Sequence, residues 1–425
     1  MRWWKLAVVG AVVIGVAAWG LMGALAEPSA GPEAKKESSE KGAPVKWAPA
    51  VDAKPLSQQV QKGLDSLVKS QLKNGAWGQG EESKNMGQGL QLKDTPSVAD
   101  TCICTLALIR AGSTPKGGPH AAAIRKALEH ICAEVEESDS PSLFITKTRG
   151  TRVQGKLGQY VDTFMAAQVL AEVRDQMPDA EGRKRLMAAL DKVMDKIEKN
   201  QKSDGTWASD GWAPTLSQAM AAKALNRAAQ AGAKVDETVR ANAEAHAQRQ
   251  FDAKSGKFAP GGSAGVQLYA GAASLGAIQD SANTNDAKRA ELKQKAANAP
   301  TAIERDAAKQ TLVRFDRNEE ALKSAQTAIV AKLSDDKFVS GFGSNGGEEF
   351  LSYMNIGESL VVKGGDEWKK WDEKITANLN RVQNEDGSWS GHHCITGRTF
   401  CTAAALLVLT VDRAPVPVAA KIRKQ

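Results

Sequence analysis

The amino-acid sequence predicts an all-α protein in which six helix pairs form two concentric rings. A turn of the pattern Q-x-x-x-G-x-W occurs three times, as QLKNGAW at 71–77, QKSDGTW at 201–207 and QNEDGSW at 383–389. A looser copy, QFDAKSGKF, lies at 250–258. Amphipathic segments alternate with segments rich in Ala, Thr, Ser, Cys and Gly, and a repeat of this kind is typical of stacked helix pairs.

The first 26 residues have the composition of an export signal. Arg2 and Lys5 precede 21 uncharged residues, a run longer than most signal cores and just long enough to span a bilayer. The Ala-Leu-Ala sequence at 24–26 is an acceptable cleavage site. Residues 1–26 are therefore predicted to be a signal peptide or a transmembrane anchor. Either alternative predicts an exported protein, periplasmic or extracellular, or one held at the inner membrane by residues 6–26.

Residues 27–55 are rich in Pro, Lys, Glu, Ser and Ala and poor in large apolar groups, which predicts a disordered linker. The predicted toroid occupies residues 56–412, and residues 413–425 form a C-terminal tail. The formal net charge is +7, but Lys and Arg are scattered along the chain. No nucleic-acid-binding patch is therefore predicted.

Helical periodicity locates both rings. The predicted outer helices are 57–72, 119–135, 183–201, 236–250, 317–333 and 368–383. The predicted inner helices, whose small residues allow close approach, are 96–112, 159–173, 213–232, 264–278, 350–362 and 397–411. Residues 280–316 have no counterpart in the other repeats. Their charged, Ala-rich sequence predicts a solvated helical insertion before the fifth outer helix, with a partner-binding arm as the alternative.

Each repeated turn has a structural explanation. The Gln amide can satisfy backbone groups left unpaired at a helix end, the Gly can adopt positive φ, and the Trp can fold back over the joint. The predicted structural residues are Gln71, Gly75 and Trp77, Gln201, Gly205 and Trp207, and Gln383, Gly387 and Trp389.

These turns resemble those of the squalene/hopene and oxidosqualene cyclases. The pairing is similar to that of the prenyltransferase and squalene-oxidase repeat superfamily, whose members form an (α/α)6 toroid. The resemblance covers about residues 57–411 and implies that the Gln and Trp residues tie neighbouring outer helices together. It leads us to expect a terpene-cyclase- or prenyltransferase-like scaffold that binds a small apolar ligand or a protein partner without catalysis.

The alternative is an enzyme acting on isoprenoid or lipid substrates. The D-x-D-D acid motif of the cyclases does not occur in the sequence, so the acid would be Asp100 or Asp162. Both Asp residues precede a Thr at equivalent places, which equally predicts two helix N-caps. A toroid acting on glycans is a third possibility, although the paired carboxylates that it requires are not visible as a motif.

A closed ring would bring the first and last repeats together. A zinc site at this junction would use residues from both repeats, and the candidate ligands are Cys102, Cys104, His392, His393 and Cys394. Export favours disulfides instead, with Cys104–Cys401 and Cys102–Cys394 as the candidate pairings and Cys132 left as a free thiol. The string Gly346-Gly347-Glu348-Glu349 lacks the cysteine of a thioester motif, which excludes that chemistry.

Overall fold

The computed structural model describes residues 44–83 and 92–419. The predicted signal or anchor and most of the predicted linker lie outside these residues. Within the described residues, no helix is both long enough and apolar enough to cross a membrane.

The described residues contain fourteen α-helices and four short strands. The helices are α1 (Gln58–Lys69), α2 (Val98–Arg110), α3 (Ala121–Glu137), α4 (Arg152–Leu157), α5 (Val161–Glu172), α6 (Ala180–Lys199), α7 (Pro214–Gln230), α8 (Glu237–Arg249), α9 (Gln267–Asn298), α10 (Ala302–Val330), α11 (Asp336–Val339), α12 (Gly347–Lys363), α13 (Gly365–Arg381) and α14 (Arg398–Leu409). The strands are β1 (Trp47–Pro49), β2 (Phe251–Asp252), β3 (Lys257–Phe258) and β4 (Pro415–Pro417).

Six of these helices form the inner ring: α2, α5, α7, α9, α12 and α14. Each packs against the next, and α14 packs back against α2, so the ring is closed. The outer ring consists of α1, α3, α6, α8, α10 and α13. The predicted all-α (α/α)6 toroid is confirmed.

Residue size and polarity explain why the helices divide into two rings. The inner helix α14 is buried on almost every side, and its run Ala403-Ala404-Ala405 is completely inaccessible. The outer helix α13 buries only one stripe, formed by Trp368, Trp371, Ile375 and Leu379. Small side chains let the inner helices approach closely, while the amphipathic outer helices keep one face in water.

In each repeated turn, the Gln side-chain amide donates one hydrogen bond within the turn and one to the next outer helix. The bonds to the next helix join Gln71 to the Ala123 carbonyl, Gln201 to that of Val239 and Gln383 to that of Gln59, each at 2.9 Å. Because Gln59 lies in α1, the third turn joins the last outer helix to the first.

The Trp of each turn is buried and donates its indole N–H to the preceding outer helix. The acceptors are the carbonyls of Leu67 for Trp77, Ile197 for Trp207 and Leu379 for Trp389, each at 2.8 Å. Gly387 adopts φ +84°, and a Cβ atom there would lie 2.5 Å from the Lys62 carbonyl oxygen. The turn therefore requires glycine for its conformation and for its close approach to α1.

The segment 280–316 lengthens the fourth inner helix and the fifth outer helix instead of forming a separate insertion. Helix α9 continues to Asn298, and α10 begins at Ala302. A capping box between Thr301 and Glu304 starts α10. The prediction of helix was right for this segment. The predicted end of the fourth inner helix and the predicted start of the fifth outer helix were wrong, because the Ala-rich sequence continues the helix without a stop signal.

Strands β1 and β4 form an antiparallel clasp in which Trp47 pairs with Pro417. The clasp lies where the inner helices end, since the Val45 amide donates to the carbonyl of Gln230, the last residue of α7. Arg227 of α7 lies 5.5 Å from the Trp47 ring. Order therefore begins earlier than predicted, because Trp47 gains a cation–π contact and strand pairing.

Candidate functional site

The inner helices all begin on one face of the toroid, which we call the rim. Hydrogen bonds join neighbouring helix starts along this face. The Gly347 amide at the start of α12 donates to the Ile395 carbonyl (3.0 Å), and the Thr215 amide at the start of α7 donates to the Gly262 carbonyl (2.9 Å). At these places the rim is therefore joined by backbone hydrogen bonds between segments that are distant in sequence.

Asp100 and Asp162 meet in this layer, but neither caps its own helix. The N-cap of α2 is Ser97, whose hydroxyl accepts from the Asp100 amide. Asp162 reaches across from α5 and accepts from the Ala99 amide at 2.9 Å and from the Gln154 amide group at 2.7 Å. The N-cap interpretation is wrong for both residues, because Asp162 caps the neighbouring helix and Asp100 caps none.

Asp100 is completely buried, and its carboxyl oxygens make no hydrogen bond of good geometry with any described residue. Burial raises the pKa of Asp100 to about 7, and the nearby Asp162 carboxyl adds to this rise. Burial also raises the pKa of Asp162, while the hydrogen bond from Gln154 opposes the rise.

Two further carboxyl groups lie in the first turn of α12, and the sequence prediction did not include them. Glu348 and Glu349 are both completely buried. One Glu348 oxygen accepts from the Ile395 amide at 3.2 Å, and the other has no partner among the described residues. Burial raises the pKa of Glu348 to about 8, with a further contribution from the Glu349 charge. Glu348 is therefore mainly protonated at neutral pH.

Glu349 is the centre of a buried hydrogen-bond network. Its Oε1 atom accepts from the Tyr269 hydroxyl and from the Phe342 amide (3.0 Å). The His393 Nε2 atom lies 3.3 Å from Oε2 and 2.7 Å from the Ser344 carbonyl oxygen, to which it donates. Burial raises the pKa of Glu349, and the adjacent His393 opposes this rise.

Three rings above this network form what we call the aromatic shelf: Trp212, Phe342 and His393. The Phe342 ring stands edge-on to Trp212 with centroids 5.4 Å apart, and it lies 5.1 Å from the His393 ring. Phe342 is 55% exposed, whereas Trp212 is half-buried and also contacts Tyr269 (6.3 Å). An exposed phenylalanine held between two rings provides a surface for stacking.

The predicted zinc ligands are not arranged around a common point. Within residues 44–83 and 92–419, no group of three or more His, Cys, Asp or Glu residues has the arrangement of a metal site. His392 is exposed, and His393 is turned towards Ser344 and Glu349. Cys102 and Cys104 are buried within α2, whereas Cys394 lies beside Glu348.

All five cysteines are free thiols in the structure, so neither predicted disulfide is formed. The Cys401 thiol donates to the Ile395 carbonyl (3.3 Å) instead of pairing with Cys104. Cys394 lies beside Glu348 and is not bonded to Cys102. Cys132, predicted to be the cysteine left over, is buried in α3.

The centre of the ring is filled below the rim. The inner helices leave a cavity of about 20 Å³ there, room for about one water molecule. Four buried charged residues lie at or beside this cavity, and we call them the central ion cluster: Arg110, Lys223, Asp280 and Glu358. Glu358 accepts from Arg110 (2.9 Å) and from Lys223 (2.8 Å), and Lys223 also pairs with Asp280 (2.8 Å). The centre is thus not a wide apolar funnel.

The fold and the rim together define an (α/α)6 toroid with a filled centre and an acidic, aromatic rim. No protein-family model matches the chain, and no curated protein matches it in sequence. Among solved structures, the chain is similar to an inactive variant of α-1,6-mannanase from Salegentibacter sp. in complex with α-1,6-mannotriose. The TM-score is 0.49 at 10% sequence identity, over 84% of this chain and 98% of that one.

The expectation of a terpene-cyclase- or prenyltransferase-like function is wrong. The structure matched is that of a mannanase, whose bound ligand is an oligosaccharide and not a small apolar molecule. In this chain the Q-x-x-x-G-x-W turn forms the joint between neighbouring outer helices.

The buried rim carboxyls predict that the protein loses stability as the pH rises. Below pH 4.5 the Glu348 carboxyl is protonated in both the folded and the unfolded chain, but between about pH 4.5 and 8 only the folded chain keeps the proton. Between about pH 3.8 and 7 the Asp100 carboxyl likewise keeps its proton only in the folded chain. We expect Tm to fall by roughly 5 °C or more between pH 5 and 9 in calorimetry.

The matched variants of this experiment are Glu348→Gln and Glu385→Gln. Glutamine keeps the shape of the buried group but carries no titrating proton, so Glu348→Gln should flatten the decline in Tm. Glu385 is exposed, and its replacement should leave the decline unchanged. A decline of the same steepness in both variants would assign the effect to other groups.

Proposed function

We propose that the rim binds a glycan, whose sugar rings stack on the aromatic shelf. The observation that carries this proposal is the exposed Phe342 ring, held edge-on to Trp212 directly above a buried hydrogen-bond network. Sites for polar, ring-shaped ligands combine aromatic surfaces with a few fixed polar groups. The likeness to the mannanase is too low to add weight to this proposal.

The buried network explains how the shelf is held in place. The Phe342 amide donates to Glu349, and Glu349 in turn accepts from Tyr269 of α9. His393 donates to Ser344 in the same loop as Phe342. Three separate segments of the chain therefore fix the shelf, and a ligand that stacks on it need not order the surface first.

A second candidate is general-acid chemistry on the same ligand. It is favoured by Glu348, whose pKa of about 8 keeps a proton available at neutral pH and whose second oxygen has no partner among the described residues. Because the Glu348 carboxyl is completely buried, a ligand on the rim does not reach it directly. Binding is therefore the first proposal and hydrolysis the second. Release of reducing sugar that is lost in Glu348→Gln would support this second candidate.

The test of glycan binding uses the full chain with soluble neutral and acidic polysaccharides in affinity electrophoresis and calorimetry. Phe342→Ala and Trp212→Ala should each weaken binding at least about tenfold, because each removes one ring of the shelf. The control is Ile303→Ala, which removes an apolar side chain that is 83% exposed on α10, outside the rim. Binding that is unchanged in both shelf variants would refute the proposal.

A further inference from the structure

We propose that the glycan bound at the rim is anionic and that Lys156 recognises its negative charge. This inference rests on the proposed function, because it names the class of ligand for the same site. The observation behind it is an ammonium group that contacts the Trp212 ring of the shelf but has no carboxylate partner among the described residues.

Lys156 lies in the last turn of α4 and is half-buried. Its Nζ atom lies 5.4 Å from the centre of the Trp212 ring. Within residues 44–83 and 92–419 it makes no hydrogen bond and no ion pair. The contrast with the other shielded lysines is clear: Lys223 contacts two carboxylates, and Lys196 contacts Asp139 and two backbone carbonyls.

The surrounding acidic groups do not neutralise this cation. Glu348 is close enough for the Lys156 charge to lower its pKa, yet burial dominates and keeps Glu348 mainly protonated at neutral pH. Glu82 is a carboxylate at the same rim, but it binds Arg152 through two hydrogen bonds of 2.9 and 3.0 Å. Among the described residues, Lys156 is therefore a cation without a paired carboxylate, next to an aromatic surface.

Shielding such a charge without a partner costs free energy, which an anionic ligand would recover on binding. A sugar ring stacked on Trp212 and Phe342 would place its substituents within reach of the Lys156 ammonium. A carboxylate or a sulfate on that ring would meet the cation there, whereas a neutral sugar would offer only hydroxyl groups. The same arrangement would add salt dependence to binding, because part of the affinity is electrostatic.

The experiment compares polygalacturonate with its fully methyl-esterified form, which keeps the backbone and removes the charge. Dextran sulfate and unmodified dextran form the sulfate arm. We expect the full-length protein to bind one anionic polymer at least about tenfold more tightly than its neutral counterpart. The arm that shows the preference identifies the anionic group as carboxylate or sulfate.

Lys156→Gln should abolish this preference, so that the charged and neutral polymers bind about equally, and Lys156→Arg should retain most of it. Lys199→Gln is the matched control, since Lys199 is exposed on α6 and already pairs with Asp195 at 2.6 Å. The Tm of Lys156→Gln should change little, because the substitution breaks no ion pair and no hydrogen bond and removes only the contact with the Trp212 ring.

Two results separate failure of this inference from failure of the proposed function. If the charged and neutral polymers bind equally to the unmodified protein, or if the preference survives in Lys156→Gln, the inference is overturned while glycan binding stands. If no polymer binds and the shelf variants behave like the unmodified protein, the proposed function falls, and the inference falls with it.

Discussion

Trp389→Ala is expected to lower the free energy of unfolding by about 3–5 kcal/mol, as for other large-to-small changes in a packed core. Trp389 is completely buried in the third turn, and its indole N–H donates to the Leu379 carbonyl at 2.8 Å. On its other side it faces Gly63 of α1, where a Cβ atom would lie only 2.7 Å from the ring. The cavity would therefore open at the joint between the last and first repeats, where the ring closes.

Chemical denaturation of the full chain measures this effect, and Trp212→Ala is the matched control. Trp212 is half-buried at the rim, so its loss should cost about 1 kcal/mol or less. If both Trp variants lost the same stability, the ring joint would have no special role. A lower slope against denaturant in Trp389→Ala would show that the ring opens before the rest unfolds.

Glu358→Gln is expected to cost a similar amount, about 3–5 kcal/mol, because it leaves two buried cations of the central ion cluster without their shared partner. Glu358 accepts from Lys223 and Arg110. Burial alone would raise the pKa of Glu358, but these two cations lower it far below its usual range. The carboxylate is thus ionised at neutral pH, and its negative charge holds the cluster together.

The control for this variant is Asp195→Asn, which breaks the exposed Lys199–Asp195 pair. Exposed pairs of this kind contribute about 0.5 kcal/mol or less, so the two variants should differ several-fold in their cost. If denaturation showed that Glu358→Gln and Asp195→Asn lower the free energy of unfolding equally, the central ion cluster would be hydrated in solution. Such a result would contradict the filled centre of the ring.

The positions of most helices were predictable, because they depend on sequence patterns within a few residues. The last inner helix was predicted at 397–411 and observed at Arg398–Leu409, and the second outer helix was predicted at 119–135 and observed at Ala121–Glu137. Helical periodicity and the glycine turns act within a few residues. The fourth inner helix and the fifth outer helix are longer than predicted, because nothing in the sequence near residue 280 marks where the repeat ends.

The rim was not predictable in the same way, because it is assembled from distant segments. Glu349 meets Tyr269 across 80 residues, and Lys156 comes from a six-residue helix outside the repeat pattern. In sequence, Glu348 and Glu349 look like the ordinary acidic first turn of a helix. Only the closed ring shows that both are buried beneath an aromatic surface.

The clasp of β1 with β4 determines the orientation in which the protein can be displayed. Both strands lie where the inner helices end, on the side of the toroid away from Phe342 and Lys156. The described chain begins at residue 44, beside this clasp. A toroid immobilised through the clasp would therefore present the aromatic shelf on its opposite side.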